Sequence, residues 1–251
     1  MSSSTPRRVA LVTGASTGLG HAMAMRLGAA GMQVALNYAN NQARAEAGFE
    51  SFRAAGHQGA LVRGDVTDPA AVEALVAETR EALGPIDVLV LNATCEQPQL
   101  PIEEYDWAFY QRMLDFFVKS PFLLTRAVLP HLKEQRWGRI LNIGSEVYDR
   151  GVPNFSAYVA AKGAQRGWTR SMANELAPWN VTVNMLSPGW IPVERHAEDP
   201  QEMKDEYLAG IPLGRWGVPE DIGAAAAFLC GEDAGFVTGQ TLVVNGGVTV
   251  S

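Results

Sequence analysis

The chain has 251 residues, a formal net charge of −7 and no extended basic run, so it is long enough for one large α/β domain and is not expected to bind nucleic acid. Its two cysteines, without a secretory signal, favour a reducing, cytoplasmic setting over a disulfide-bonded one. No apolar run reaches membrane-spanning length, and residues 1–6 are polar, which predicts a flexible N-terminal tail and no membrane partner.

Short, continuously apolar runs alternate with helical patterns along the rest of the chain. Such runs predict strands that are buried on both faces of a sheet, and they cover residues 8–13, 33–38, 60–63, 86–91, 139–143, 182–186 and 241–245. Helical patterns cover residues 18–30, 41–55, 69–83, 106–116, 120–135, 156–176 and 219–229. Strand–helix–strand repetition predicts parallel pairing with right-handed crossovers. The fold class predicted is therefore α/β, a doubly wound (Rossmann) domain with a seven-stranded parallel sheet and helices on both faces.

The longest stretch without a predicted strand is residues 189–215, which contain prolines and a short charged helical pattern. Long connections of this kind commonly close over a site when substrate binds. We therefore predict that residues 189–215 form a substrate lid. The lid would belong to a single dinucleotide-binding and catalytic domain that spans residues 7–251.

A glycine-rich turn stands between the first predicted strand and the first predicted helix. It reads Thr13-Gly14-Ala15-Ser16-Thr17-Gly18-Leu19-Gly20, a G-x-x-x-G-x-G spacing. Glycines let the backbone approach a ligand closely, and a helix N-terminus presents free N–H groups to phosphate. An ordinary glycine loop could carry the same letters, but the strand–turn–helix context predicts a site for a dinucleotide pyrophosphate.

Tyr158 and Lys162 stand four residues apart on a predicted helix, and Tyr158 follows Ser145 by thirteen residues. Residues at i and i+4 share one helix face. The lysine ammonium should therefore lie near the phenol and lower the pKa of the tyrosine from its usual value of about 10. A phenol tuned in this way can donate a proton to a forming alkoxide or accept one from an alcohol. Alone, Y-x-x-x-K is commonly a chance surface pair; beside Ser145 and the glycine turn, it predicts catalysis.

Together these motifs resemble the short-chain dehydrogenase/reductase family over nearly the whole chain, in the standard-length branch that includes ketoacyl reductases and glucose dehydrogenases. The resemblance implies an NAD(P)(H)-dependent oxidoreductase that moves a hydride between nicotinamide and a carbonyl or secondary alcohol. It implies that Ser145 bonds the carbonyl oxygen, that Tyr158 transfers the proton, and that Lys162 also holds the nicotinamide ribose. A small-molecule substrate and a homotetramer are implied as well. The implied cofactor-binding residues are Gly14, Ser16, Thr17, Gly18, Leu19, Gly20, Tyr38, Asp65, Val66, Asn92, Ala93, Tyr158, Lys162, Pro188, Gly189 and Ile191.

The end of the second predicted strand bears on which dinucleotide is used. NAD-preferring relatives usually place an acid where Tyr38 stands, so that it accepts bonds from the adenosine ribose hydroxyls. The absence of that acid favours NADP(H). Thr17 stands where NADP users often carry an arginine, which leaves Arg44 and Arg63 as substitute partners for a 2′-phosphate. We predict NADP(H), with NAD(H) left open.

Three motifs depart from the family pattern. Phe117 replaces the catalytic asparagine, N-N-A-G reads Leu91-Asn92-Ala93-Thr94, and Val193 replaces the threonine of P-G-x-x-x-T. In the family the asparagine shapes a helix kink and supports a water-linked proton path from the lysine. Phenylalanine keeps the backbone carbonyl but supplies no amide. Phe117 therefore leaves a second interpretation open, a dinucleotide-binding protein with weak or no catalysis.

The remaining polar residues near these motifs give weaker signals. The histidines have no metal-ligand spacing, so no metal site is predicted. His196, at the start of the lid, is either a surface residue or a substrate contact. Glu146, Tyr148 and Asp149 follow Ser145 directly and either rim the site or form a solvated loop.

Overall fold

The computed structural model of the protein describes residues 7–250, and the tail expected for residues 1–6 lies outside the described residues. The strands are β1 (Val9–Val12), β2 (Gln33–Tyr38), β3 (Gly59–Arg63), β4 (Val88–Leu91), β5 (Gly138–Ile143), β6 (Val181–Pro188) and β7 (Thr241–Val244). The α-helices are α1 (Gly18–Ala29), α2 (Gln42–Ala54), α3 (Pro69–Leu83), α4 (Trp107–Leu114), α5 (Ser120–Gln135), α6 (Val147–Arg150), α7 (Ser156–Leu176), α8 (Gln201–Ala209) and α9 (Pro219–Cys230).

The strands form one parallel sheet in the order β3-β2-β1-β4-β5-β6-β7. This confirms the predicted seven-stranded, doubly wound architecture. The strand order reverses between β1 and β4, because β2 pairs with one edge of β1 and β4 pairs with the other. The connections that leave the carboxyl ends of β1 and β4 therefore diverge, and a crevice for a ligand opens between them.

Side chains of successive strand residues point to opposite faces of the sheet, and each face carries its own apolar core. Ala10 and Val12 of β1 belong to the core that packs under α1 and α9. Val9 and Leu11 belong to the core that packs under α3, α5 and α7. The uninterrupted apolar runs of the sequence thus reflect strands that are covered on both sides.

The predicted helices 106–116 and 120–135 form one continuous helical rod. A π-helical turn, Asp115–Lys119, joins α4 directly to α5. Such turns carry one wide i→i+5 repeat and are frequent at functional sites. The irregularity that the family resemblance assigns to an asparagine is therefore present here with Phe117 in the turn.

The charged helical pattern predicted inside residues 189–215 is helix α8. Strand β6 differs from its predicted bounds and extends to Pro188, because Ser187 and Pro188 pair with Val243 and Val244 of β7. Within residues 7–250, none of the helices is long and apolar enough to cross a lipid bilayer.

Candidate active site

A groove of about 530 Å³ lies at the carboxyl ends of the strands, across the point where the strand order reverses. All but one of the predicted catalytic and cofactor-binding residues line it. They are Gly14, Ser16, Thr17, Gly18, Leu19, Gly20, Tyr38, Asp65, Val66, Asn92, Ala93, Ser145, Tyr158, Lys162, Pro188 and Gly189. Ile191 is instead buried, and it lines a neighbouring cavity of about 170 Å³.

Two positions of the glycine turn, 14 and 20, can be occupied only by glycine without strain or overlap. Gly14 has a φ of 62°, in the left-handed region that glycine adopts without strain. A Cβ on Gly20 would overlap the Gly14 carbonyl oxygen and the Asn92 amide. The turn therefore leaves open the space and the α1 N-terminus that a pyrophosphate needs.

Thr13 and Asn92 tie the turn to the end of the neighbouring strand. The Thr13 hydroxyl oxygen accepts from the backbone N–H of Asn92 at 2.9 Å and from that of Ala93 at 3.0 Å. The Asn92 side-chain amide donates to the carbonyl oxygens of Thr13, at 2.9 Å, and Gly14, at 3.0 Å. These bonds fix the two sides of the crevice relative to each other.

Asn37 is a supporting residue that the sequence analysis did not identify. It is buried at the end of β2, and its backbone carbonyl accepts from Ala15 N–H at 2.9 Å. Its side-chain oxygen lies 3.4 Å from the Gly14 nitrogen, and its amide donates to the Gly64 carbonyl at 3.0 Å. The available signal was an amide inside an otherwise apolar strand, which needs buried hydrogen-bond partners.

At the adenosine end, the two arginines considered for a 2′-phosphate occupy different places. Arg44 lies in the first turn of α2 and lines the groove. Asn41 caps this turn, because its side-chain oxygen accepts from the Arg44 backbone N–H at 3.0 Å. Arg63 Nε donates to the Ala39 carbonyl at 3.2 Å. Arg44 is therefore the better placed of the two for a phosphate in the groove.

The three predicted catalytic residues come from two elements that meet at the same groove. Ser145 follows the end of β5, and its hydroxyl oxygen lies 3.4 Å from the Val147 nitrogen. Tyr158 and Lys162 lie in the first two turns of α7, and both are buried. The helical i, i+4 spacing brings the Lys162 ammonium to 5.6 Å from the centroid of the Tyr158 ring.

The Lys162 ammonium has polar and aromatic partners. Its Nζ donates to the Ile143 carbonyl at 2.5 Å and to the Gln165 side-chain oxygen at 3.2 Å. The centroid of the Phe117 ring lies 3.7 Å from the same Nζ, which is a cation–π contact. The residue that departs most from the family pattern thus touches the lysine directly.

Glu146 is buried next to Ser145 and bonds to side chains of α8 and of the segment after β7. One carboxylate oxygen accepts from Tyr207 of α8 at 2.7 Å and from Arg150 at 2.9 Å, and the other accepts from Asn245 at 2.9 Å. Burial, together with the Glu146 carboxylate, raises the pKa of the Tyr207 phenol above its usual range, so it stays a donor. The solvated-loop alternative for Glu146 is wrong, because its carboxylate is a buried structural acceptor, and Glu146 is not among the residues that line the groove.

The remaining candidates, Tyr148, Asp149 and His196, are not among the residues that line the groove. Tyr148 is partly exposed, and Asp149 forms an ion pair with Arg166 at 2.6 Å. His196 Nδ1 lies 3.2 Å from the Val193 nitrogen, within a short turn. Across residues 7–250 no group of three or more histidine, cysteine or acidic side chains is gathered as a metal site.

Comparison with known proteins gives matches over nearly the whole chain. The family model described as enoyl-(acyl carrier protein) reductase matches residues 14–249. The chain is 37% identical over 241 residues to the 3-oxoacyl-(acyl-carrier-protein) reductase FabG of Staphylococcus aureus strain Mu50, covering 95% of this chain and 97% of that protein. It is 36% identical over 244 residues to the Pseudomonas aeruginosa PAO1 protein of the same name, with 97% and 98% covered. It is also similar to the crystal structure of a blue fluorescent protein from a metagenomic library in complex with NADPH, with a TM-score of 0.89, 34% identity, and 97% and 98% of the two chains covered.

The tight packing around Gly20 predicts that a side chain at this position weakens dinucleotide binding. Gly20→Ala would push apart the Gly14 carbonyl and the Asn92 amide, so we expect NADPH affinity to fall on the order of tenfold, the size of a modest overpacking penalty. Fluorescence titration with NADPH measures the change. Gly167→Ala is the matched control, since no atom lies within 4 Å of a Cβ at Gly167. An unchanged affinity of Gly20→Ala for NADPH would contradict the assignment of the glycine turn as the pyrophosphate site.

Proposed function

Because this chain belongs to the short-chain dehydrogenase/reductase family of nicotinamide-dependent oxidoreductases, we propose that it is an NADP(H)-dependent enzyme that interconverts a carbonyl and a secondary alcohol. Ser145, Tyr158 and Lys162 are its catalytic residues. The observation that carries the proposal is their common position in one groove with the glycine turn. The turn alone would fit any dinucleotide-binding protein, whereas a tyrosine and a lysine beside it supply acid–base chemistry.

The residues of the groove fit a nicotinamide dinucleotide. Gly14 and Gly20 leave the backbone open for the pyrophosphate, and the α1 N-terminus offers its N–H groups. Tyr38, Asp65 and Val66 line the groove where the adenosine would lie. Tyr158 and Lys162 line it where the nicotinamide ribose would lie.

A nicotinamide held beside Tyr158 and Lys162 would supply the hydride that the carbonyl carbon receives in the direction of reduction. Tyr158 transfers its phenolic proton to the carbonyl oxygen, so that C=O becomes CH–OH. Ser145 donates a hydrogen bond to the same oxygen, and the charge of Lys162 favours loss of the Tyr158 proton. Two O–H donors directed at one oxygen suit a carbonyl better than a carbon–carbon double bond.

The substrate class to test first is a 3-oxoacyl thioester. Two relatives that match nearly the whole chain are named 3-oxoacyl-(acyl-carrier-protein) reductases. In a 3-oxoacyl thioester the ketone carbon is the third carbon from the sulfur, so the ketone, and not the thioester carbonyl, has to reach Ser145 and Tyr158. Simple ketones are the comparison substrates.

Preference for NADP(H) over NAD(H) is part of the proposal. It is supported by Arg44 in the groove lining, by the absence of an acid at Tyr38, and by the NADPH bound to the structural relative. A guanidinium pairs bidentately with a 2′-phosphate, which only NADP(H) carries.

We further propose that residues 189–215, within the one domain that spans residues 7–251, cover the substrate. The proposal is supported by helix α8, whose Tyr207 bonds the buried Glu146 at 2.7 Å, one residue beyond Ser145. The Tyr207 hydroxyl also accepts from the Trp190 N–H at 2.8 Å, near the start of the lid. Binding of substrate between lid and groove would therefore act directly on the segment that carries Ser145.

A homotetramer in the cytoplasm completes the proposal. Trp107 of α4, Phe122 of α5, Phe228 of α9 and Phe236 just before β7 are exposed apolar rings in the single chain. Exposed apolar rings on several elements suit subunit contacts, and a tetramer with dihedral symmetry uses more than one interface. The unpaired thiols Cys95 and Cys230 suit a reducing compartment.

Tyr158→Phe tests the mechanism, because it removes the proton donor and keeps the ring. We expect kcat for NADPH-dependent reduction of a 3-oxoacyl thioester to fall by about 10²–10⁴ while NADPH affinity is nearly unchanged. Tyr110→Phe is the control, since Tyr110 bonds Ser156 at the start of α7 at 2.6 Å and is outside the groove lining. Full activity of Tyr158→Phe would refute the mechanism, and a wild type without turnover would favour the dinucleotide-binding alternative.

Arg44→Ala tests the cofactor preference. Loss of a charge-assisted pair with the 2′-phosphate should weaken NADPH binding by about tenfold or more and leave NADH binding unchanged. Arg63→Ala is the matched control, since Arg63 ends the neighbouring strand β3 and its Nε donates to the Ala39 carbonyl. The measurement is the dissociation constant of NADPH and of NADH for the wild type, Arg44→Ala and Arg63→Ala. Equal losses of NADPH affinity in both variants would exclude a specific role for Arg44.

The assembly is checked by multi-angle light scattering. We expect a mass about four times the 27.0 kDa of one chain. Trp107 is 70% exposed in the single chain. Trp107→Glu would place a charge in the expected subunit contact and should lower the mass to that of a dimer or monomer. Met203→Glu, on the exposed side of α8, should keep the mass of the wild type. A wild-type monomer would contradict the proposal.

A further inference from the structure

The charge of Lys162 is almost fully withdrawn from water. The residue is 5% exposed, and a buried ammonium tends to lose its proton unless neighbouring groups favour the charged form. Its neighbours therefore decide whether it stays an ammonium beside Tyr158. Two of them, Gln165 and Phe117, come from different helical segments and contact Nζ from their side chains.

Gln165 is fixed by a chain of buried side chains. Its Nε2 donates to the Asn142 side-chain oxygen at 3.2 Å, and the Asn142 amide donates to the Thr169 hydroxyl at 3.0 Å. Thr169 in turn donates to the Gln165 backbone carbonyl at 2.9 Å. Reversing the Gln165 amide would set its NH₂ against the Lys162 ammonium and its oxygen against the Asn142 oxygen. The network therefore keeps the Gln165 oxygen directed at Nζ.

Phe117 presents a ring to the same ammonium from the π-helical turn. Phe117 is 2% exposed, so its ring offers the ammonium a contact withdrawn from bulk water. Its centroid lies 3.7 Å from Nζ, and a desolvated aromatic face stabilises a cation at this range. The same ring packs edge-on against Tyr158, with centroids 5.4 Å apart and planes at 70°. One side chain thus touches both members of the acid–base pair.

We propose that Gln165 and Phe117 are positioning residues that hold Lys162 as an ammonium beside Tyr158. Gln165 supplies the amide oxygen from within α7, and Phe117 supplies a ring face where the family pattern has an asparagine. The role rests on the proposed function, because it matters for catalysis only if Lys162 tunes Tyr158. The contacts involve only side chains of this chain, so they can be tested separately from turnover.

Tyr158 and Cys95 are titratable residues near Lys162, and neither replaces these contacts. Tyr158 is the group that Lys162 acts on, with its ring centroid 5.6 Å from Nζ. Cys95, on the loop after β4, is close enough to sense the Lys162 charge, but burial raises the pKa of its thiol. Cys95 is therefore neutral near pH 7 and gives no negative charge to the ammonium.

The test is the pKa of Lys162 in the cofactor-free protein. It is followed through the Cε resonance in protein labelled with ¹³C-lysine, and the signal is assigned by its loss in Lys162→Arg. Gln165→Leu removes an acceptor and Phe117→Leu removes a ring face, and both groups favour the charged form. We therefore expect each variant to lower the pKa of Lys162 by on the order of one unit, and the double variant to lower it further.

Phe155→Leu is the matched control for loss of an aromatic ring in the same cluster. The Phe155 ring packs on Tyr158 with centroids 5.0 Å apart, so its removal loosens the same apolar cluster as Phe117→Leu. We expect the pKa of Lys162 to stay at the wild-type value in Phe155→Leu. Far-ultraviolet circular dichroism and melting temperatures establish that every variant is folded before it is titrated.

Two results would overturn the inference. An unchanged pKa of Lys162 in folded Gln165→Leu or Phe117→Leu removes that residue from the positioning role. An equal drop in Phe155→Leu would mean that any loss of packing has the same effect. Turnover is measured in parallel: absence of activity in the wild type would contradict the proposed function while leaving the titration result standing. With activity, kcat should fall several-fold in the two variants, with little change in the KM for NADPH.

Discussion

The reversal of strand order between β1 and β4 is the constraint on which the site depends. Parallel strands end at one edge of the sheet, and their connections must return on one face or the other. At β1 and β4 these connections diverge, so the edge opens into a groove of about 530 Å³. Thr13 and Asn92 close the hydrogen bonds across this opening, which keeps the glycine turn and the end of β4 at a fixed separation.

Two buried charges flank the segment that carries Ser145, and each is compensated differently. Glu146 is satisfied by three neutral or cationic donors and thereby links the sheet to α8. Lys162 is held by a carbonyl, an amide oxygen and a ring face. A charge withdrawn from water persists only when its partners are fixed. The stability of the site and its chemistry therefore depend on the same hydrogen bonds.

The substitution at Phe117 has a different meaning in the structure than in the sequence. In the sequence, the replacement of asparagine by Phe117 removes a catalytic amide, which favours a protein with weak or no turnover. In the folded chain the π-helical turn persists, and the ring takes a place against Lys162 and Tyr158. The loss of a polar group is therefore accompanied by a contact of another kind, and membership of an enzyme family agrees with the catalytic interpretation.

The succession of strands and helices along the chain, the glycine turn and the shared face of Tyr158 and Lys162 were predictable from the sequence. These features depend on local periodicity and on i, i+4 spacing, which are properties of the chain before it folds. Three contacts were not predictable: Asn37 braces the turn, Ile191 lines the neighbouring cavity instead of the groove, and Glu146 meets Tyr207 from 61 residues away. Tertiary structure decided these contacts, and it also decided that Gln165 and Phe117 converge on one ammonium. Contacts of this kind depend on how distant elements pack, and no local pattern in the sequence records that packing.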